Sequence, residues 1–217
     1  MNVALYGGKF DPPHLGHKNL IDQVLARMKF IDEVWIIPAK DHPWRKIYAS
    51  GKDRKAMLEL LGSDRVKVLD LELKRKKPTI TIDTVRELKK NYPKNNFFWI
   101  CGSDTPETFH LWDKHEELVK LVKFYVYPRP GYVQKKLPKG FFAIPYLCLP
   151  RKKFSSTEAR RLAAQEKPLR GLVAPAVEEY IQRHHLYQTG RKSPGRAGAP
   201  RQNRTVISGS GNRYSIH

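Results

Sequence analysis

No stretch of this chain is apolar for the roughly 20 residues that a bilayer-spanning helix needs. Met1 leads straight into the strand-like NVALYGG, without the basic region, apolar core and cleavage site of a secretory signal, so a cytoplasmic protein is expected. Cysteine is scarce as well. Cys101 and Cys148 are the only two, neither has a cysteine neighbour, and no disulfide framework or zinc knuckle can be built from them; both are expected as core thiols. The G-x-x-x-x-G-K-[ST] loop and the G-x-G-x-x-G fingerprint are absent, as are an RNP-like aromatic strand, zinc-finger spacing and a clear recognition helix. There is no internal repeat.

Positive charge, in contrast, is abundant. The 217 residues carry 41 Lys and Arg against 21 Asp and Glu, a net charge of +20, which favours polyanionic ligands: nucleotides, nucleic acid or an anionic surface. The length suits a single domain. Beyond residue 188 the composition shifts to Gly, Pro, Ser and Asn with six basic residues and no acidic one, so residues 189–217 are expected to form a basic, disordered tail. The remainder still holds 35 basic residues against the same 21 acidic ones, +14, and the tail does not account for the charge.

Residues 1–188 alternate short apolar runs with amphipathic ones. VALY, EVWII, VKVLDL, FFWIC, KFYVY and FFAIPYL read as strands, being rich in β-branched and aromatic residues and flanked by turn formers. Helical periodicity follows over Leu15 to Met28, Lys52 to Leu61, Thr81 to Tyr92, Asp113 to Leu121, Ser155 to Gln165 and Pro175 to Arg183. The alternation predicts an α/β fold, a Rossmann-like doubly wound parallel sheet with helices on both faces. In such a sheet ligands sit beyond the carboxyl ends of the strands, and the first strand-to-helix turn is a preferred phosphate site.

That turn reads GGKFDPPHLGH, residues 7–17. Gly7 and Gly8 allow close approach of the backbone, Pro12 and Pro13 stiffen the loop, and His14 and His17 share a face of the first helical turn. The helix start adds free N–H groups and a positive dipole end. The arrangement fits an anion site with two donors of adaptable charge. A simple helix cap and a metal-binding H-x-x-H pair are the other readings, although no Cys, Asp or Glu cluster completes a metal shell, and no metal is assigned.

GGKFDPPHLGH resembles the H-x-G-H signature of the nucleotidyltransferase superfamily, and FSSTEAR at 154–160 resembles its S-S-T-x-x-R signature. Within the superfamily, residues 1–188 are most similar to bacterial nicotinate-nucleotide adenylyltransferases, through IIPAKDHPWRK, RKAMLELL, PTITIDTVREL, CGSDTPETFHLWDKHEEL, YPRPGY and VAPAVEEYIQRHHLY as well. The resemblance implies adenylyl transfer from ATP to nicotinate mononucleotide, giving nicotinate adenine dinucleotide and pyrophosphate, with Mg²⁺ arriving on the ATP. It implies catalytic roles for His14, His17, Lys46 and Arg160, and ATP contacts from Gly7, Gly8, Lys9, Phe10, Ser155, Ser156 and Thr157. Thr81, Asp104 and Trp112 would hold the mononucleotide, with Trp112 stacked on the pyridine ring; a homo-oligomer is a further expectation.

The hydroxyls of FSSTEAR are also good helix caps, and Arg160 lies one turn along. Arg161 points elsewhere and is expected to matter less. Departures from the family pattern are Lys9 in place of a small hydroxyl residue, His42-Pro43-Trp44-Arg45-Lys46 where a histidine usually precedes the lysine, Ile80 in place of a frequent aromatic, and the tail. The alternatives are a phosphopantetheine or nicotinamide-mononucleotide adenylyltransferase, and, outside the enzymes, a basic nucleic-acid-binding module.

Overall fold

The computed structural model describes residues 1–41, 46–76, 80–129, 136–145, 147 and 154–188. Six strands form one fully parallel sheet: β1 (Asn2–Gly8), β2 (Glu33–Pro38), β3 (Val66–Val68), β4 (Asn96–Gly102), β5 (Lys123–Tyr127) and β6 (Phe141–Ala143), in the order β3-β2-β1-β4-β5-β6. The order reverses between β1 and β4, whose register runs from Asn2 opposite Asn96 to Tyr6 opposite Ile100. In an open parallel sheet that reversal opens a crevice at the carboxyl ends of the two strands.

The helices are α1 (Leu15–Arg27), α2 (Gly51–Glu59), α3 (Thr81–Asn91), α4 (Thr105–Thr108), α5 (His115–Leu121), α6 (Ser156–Ala164) and α7 (Pro175–Arg183). Alternating strand residues feed two cores, as period-2 geometry requires. Val3, Leu5, Trp35, Trp99 and Phe124 face α3 and α5, whereas Ala4, Tyr6, Val34, Ile36 and Ile100 face α1. Phe124 is fully buried between Phe109 and Phe141, with ring centroids 4.9 and 4.7 Å away, and truncating it to alanine would cost about 3–5 kcal/mol. A third cluster joins α2 to α6 and α7 through Met57, Ala159, Ala163, Val177 and Ile181. It is this third layer that carries the second signature across to the first.

Two predicted strands are shorter than their apolar runs suggested. After β3, residues 71–74 form a turn closed by Lys74 N–H donating to Asp70 and Arg75 N–H to Glu72; after β6, Pro145 cannot donate to a ladder. α4 and the 3-10 turn Phe109–Leu111 were not anticipated, because four- and three-residue elements show no periodicity. Cys101 is buried, and burial pushes its thiol up to about 12. Cys148, His42 to Arg45 and the basic tail 189–217 lie outside the described residues.

Candidate active site

β1 ends at Gly8, and the chain must then turn over the carboxyl edge of the sheet to enter α1. Gly7 is required from below, since a Cβ there would lie 2.8 Å from the Trp99 ring on β4. Packing under the turn thus fixes the choice of glycine. Phe10 adopts a left-handed φ of 48° and buries its ring against Tyr6 and His17.

His14 is the N-cap of α1, and the cap is reciprocal. His17 N–H donates to His14 Nδ1 at 3.2 Å, and His14 N–H donates to His17 Nδ1 at 3.0 Å. The two imidazoles stack at 3.5 Å between centroids, 14° apart in plane. Gly16 is the small residue this needs, because a Cβ there would come within 3.0 Å of both His14 Nδ1 and Phe154 Cβ. With both Nδ1 atoms accepting backbone N–H groups, each neutral ring carries its proton on Nε2. The pair therefore offers two parallel Nε2–H donors without requiring charge.

Burial pushes His14 down to about 4, and the charge of Arg129 adds to the fall. His17 is held well below the usual imidazole range by burial first, then by the neighbouring His14 and by Arg129. Two rings in van der Waals contact cannot both carry a full charge without an anion between them and solvent. Near neutral pH the pair therefore stands as two uncharged donors.

The turn is braced by Asp11, which is 1% exposed. Its carboxylate accepts Tyr48 N–H at 2.7 Å, Ala49 N–H at 3.0 Å and the Tyr187 hydroxyl at 2.9 Å. Arg54, also 1% exposed, lies in the electrostatic field of Asp11 and donates to the carbonyls of Lys9 and Ala49. The same carboxylate thus ties the turn after β1 to the segment before α2 and to the residues after α7. The Tyr48 ring is flanked by two cations, Lys46 Nζ at 5.0 Å and the Arg160 guanidinium at 4.6 Å from its centroid.

α6 enters from the opposite side. Ser155 caps it, accepting Glu158 N–H at 3.4 Å. The Ser156 hydroxyl donates to the Pro12 carbonyl at 2.8 Å, and Arg160 donates to the Asp11 carbonyl at 2.6 Å and to Thr157 Oγ1 at 3.2 Å. Phe154 lies near-parallel to His14, 6.2 Å away. The structure therefore brings His14, His17, Lys46, Ser155, Ser156, Thr157 and Arg160 around one turn, from three separated stretches of sequence. Arg161 turns away to pair with Glu158 on the exposed face. Lys9 contributes its carbonyl to Arg54.

The residues expected to hold the mononucleotide come from three later segments, the start of α3, the segment after β4 and the segment after the 3-10 turn. Thr81 is the first residue of α3, half-buried, at the carboxyl edge of the sheet. Trp112 follows the 3-10 turn, half-buried, with its ring 5.6 Å from Phe109 and 6.3 Å from Phe124. Asp104 makes no side-chain cap on α4 and instead forms a 2.6 Å ion pair with Arg129. Sequence reasoning missed Asp11, Tyr48 and Arg129. A lone acid inside the FDPP turn was the available signal for the first and the YPRPGY match for Arg129, while nothing local announces Tyr48.

Among the described residues no group of three or more His, Cys, Asp or Glu could hold a metal ion. No helix among them is long and apolar enough to cross a membrane.

A glycine- and histidine-bearing turn at the switch point of a parallel sheet, joined to a second signature on a later helix, fits a nucleotidyltransferase, and the chain belongs to the cytidylyltransferase-like family, whose sequence model matches residues 5–162. Within that class it falls among the nicotinate-nucleotide adenylyltransferases. It is 41% identical over 189 residues to the probable nicotinate-nucleotide adenylyltransferase of Shouchella clausii, covering 85% of this chain and 96% of that one. It is 32% identical over 192 residues to the nicotinate-nucleotide adenylyltransferase of Bacillus subtilis, covering 86% and 98%. The fold matches the Plasmodium falciparum nicotinic acid mononucleotide adenylyltransferase complexed with NaAD, with a TM-score of 0.72 at 23% identity over 86% of this chain and 97% of that one.

Proposed function

We propose that this chain transfers the adenylyl group of ATP to nicotinate mononucleotide, and that the stacked histidine pair and the Lys46–Tyr48–Arg160 cluster carry the phosphates. A phosphate oxygen of the mononucleotide attacks the α-phosphorus of ATP, the bond from that phosphorus to the bridging oxygen breaks, and pyrophosphate leaves with the electron pair. The nucleophile is already anionic, so no general base is needed. The protein's work is to hold two repelling anions in line and to stabilise charge moving onto pyrophosphate.

The observation that carries this reading is the reciprocal cap on α1. It fixes both histidines in the tautomer that points a proton toward a ligand, and it leaves them uncharged until an anion arrives. An incoming triphosphate favours their protonation, which moves positive charge toward the leaving group when it is required. Lys46 and Arg160 add two cations beside the Tyr48 ring, and Ser156 is held near Arg160 through Pro12. Arg129 lies within electrostatic reach of both histidines and adds a further cation on the mononucleotide side. ATP enters as its Mg²⁺ complex, with the ion held by phosphate oxygens and water as part of the substrate.

At the other end Trp112 offers a flat ring for the pyridine, and Thr81 an open helix start for its carboxylate. Incubation with ATP and Mg²⁺ plus, separately, nicotinate mononucleotide, nicotinamide mononucleotide and 4′-phosphopantetheine tests the assignment. Pyrophosphate release should be fastest with the first. Release only with 4′-phosphopantetheine, or with none, overturns it.

A further inference from the structure

Five polar residues are buried in this chain: Asp11, Arg54, Glu72, Thr84 and Ser103, counted among the described residues. Asp11 and Arg54 brace the phosphate turn, and Ser103 accepts Arg129 N–H at 2.9 Å. Glu72 and Thr84 have no part in the site described above, yet they are 6% and 0% exposed and belong to each other. A buried carboxyl is costly unless satisfied.

The Thr84 hydroxyl donates to Glu72 Oε1 at 2.7 Å and accepts from Arg75 at 2.8 Å, while the same guanidinium reaches Glu87 at 2.6 Å. Glu72 and Arg75 both sit on the turn after β3, and Thr84 and Glu87 both sit on α3. That turn is anchored on its other sides. Lys55 on α2 pairs with Asp70 at 3.1 Å, Leu73 packs against Gly51, and Lys40, just past the end of β2, donates to the carbonyls of Arg75 and Lys76. The result is a continuous path of polar contacts from β2 through the turn to the first turns of α3.

What α3 lacks explains why the path matters. Its N-cap residue is Ile80, which makes no side-chain capping bond; the Thr84 hydroxyl also comes within 3.5 Å of the Ile80 carbonyl, so Thr84 is tied to the helix start itself. The clamp takes hold at Thr84, three residues along from Thr81 and one turn up the same side of the helix. We propose that Glu72 and Thr84, with Arg75, are positioning residues for the mononucleotide: they set the uncapped start of α3, and with it Thr81, at the pyridine end of the crevice. This rests on the functional reading above, because it assigns the clamp to one of that reaction's two substrates.

Thr84→Val removes the hydroxyl at nearly constant shape, and Thr84→Ser restores it. Glu72→Ala removes the acceptor, and Glu72→Gln keeps one. Pyrophosphate release gives KM for each substrate, and calorimetric titration of nicotinate mononucleotide with an unreactive ATP analogue present gives its Kd without turnover. Thr84→Val and Glu72→Ala should raise both KM and Kd for the mononucleotide about tenfold, equivalent to about 1.4 kcal/mol, with KM for ATP and kcat changed less than about twofold. Thr84→Ser and Glu72→Gln should recover most of the affinity. Equal weakening of both substrates, an unchanged mononucleotide Kd, or a serine variant no better than valine would each overturn the clamp. A wild-type chain that binds the mononucleotide but releases no pyrophosphate would break the functional reading instead, and the clamp would then stand or fall on the Kd values.

Discussion

The two ends of the crevice are built on different plans. At the end proposed to hold the phosphates, the histidine pair is fixed locally, His14 against His17, while the turn around it is held by contacts across the whole chain: Ser156 to Pro12, Arg160 to Asp11, Tyr187 to Asp11 and Leu15 N–H to Leu172. At the mononucleotide end the contacts are shorter in sequence, from Glu72 to Thr84 and from Asp104 to Arg129, and Trp112 follows a three-residue 3-10 turn. On the proposed reading the first end is organised around charge, and its donors must be aimed before a ligand arrives. The second is organised around a helix start, held through Thr84 by Glu72 and Arg75, and an aromatic ring packed on Phe109 and Phe124.

The comparison is broken most directly at His17. Replacing it with alanine removes one of two aimed donors and the acceptor for His14 N–H, so turnover should fall about 10²-fold or more. Stability should fall by only about 1 kcal/mol, the cost of a lost cap. Pyrophosphate release and thermal melting on one preparation separate the two. Near-normal turnover in a folded variant would remove the histidine pair from the chemistry.

Trp112 should answer differently. Its indole packs on Phe109 and Phe124 and still leaves a partly open face. Trp112→Ala should therefore raise KM for nicotinate mononucleotide roughly 5- to 150-fold, borrowing the scale of base-on-aromatic stacking, with KM for ATP little changed and some loss of melting temperature. Both KM values rising together with a large drop in stability would make Trp112 a core residue alone.

These differences also explain what could be read without a structure. The phosphate end was legible because a glycine- and proline-rich turn followed by H-x-G-H is a local device, and its residues are adjacent in sequence. The parallel sheet and the six longer helices were legible for the same reason, through period 2 and period 3.6. Asp11, Tyr48 and Arg129 were not, because their roles depend on contacts over tens of residues, such as Asp11 to Tyr187. Thr81, Asp104 and Trp112 could be named through family resemblance, but the ion pair from Asp104 to Arg129 and the clamp behind Thr81 appear only when the chain is folded.

Asp11 tests how far the bracing reaches. Asp11→Asn keeps the shape but weakens three accepted hydrogen bonds and withdraws the charge facing Arg54, so stability should fall by about 1–3 kcal/mol. KM for ATP should rise severalfold, because Tyr48 carries the two cations, while KM for the mononucleotide stays near its original value. A rise confined to the mononucleotide would contradict the division of the crevice drawn above.

The smallest effect is the sharpest on the contrast, since the two ends should respond to pH with opposite sign. His14, facing His17 and Arg129, is held at about 4 in the folded chain against an ordinary value of 6.5. Between those values the unfolded chain binds more protons, so this part of the stability is present above about 6.5 and is lost as pH falls toward 4. Glu72, facing Arg75, Asp41 and Thr84, is raised by burial from 4.5 to about 7. Here the folded chain binds more protons, so the stability it contributes is complete below about 4.5 and is lost as pH rises through 7. His14→Asn, which retains a capping side chain, should flatten the acid-side fall in melting temperature, and Glu72→Gln should flatten the loss on the neutral side. Melting the wild type and both variants at pH 5.5 and 8 yields two differences that should move in opposite directions. Parallel shifts would mean that the two buried groups are not distinguished by their surroundings, and that the phosphate and mononucleotide ends share one electrostatic environment.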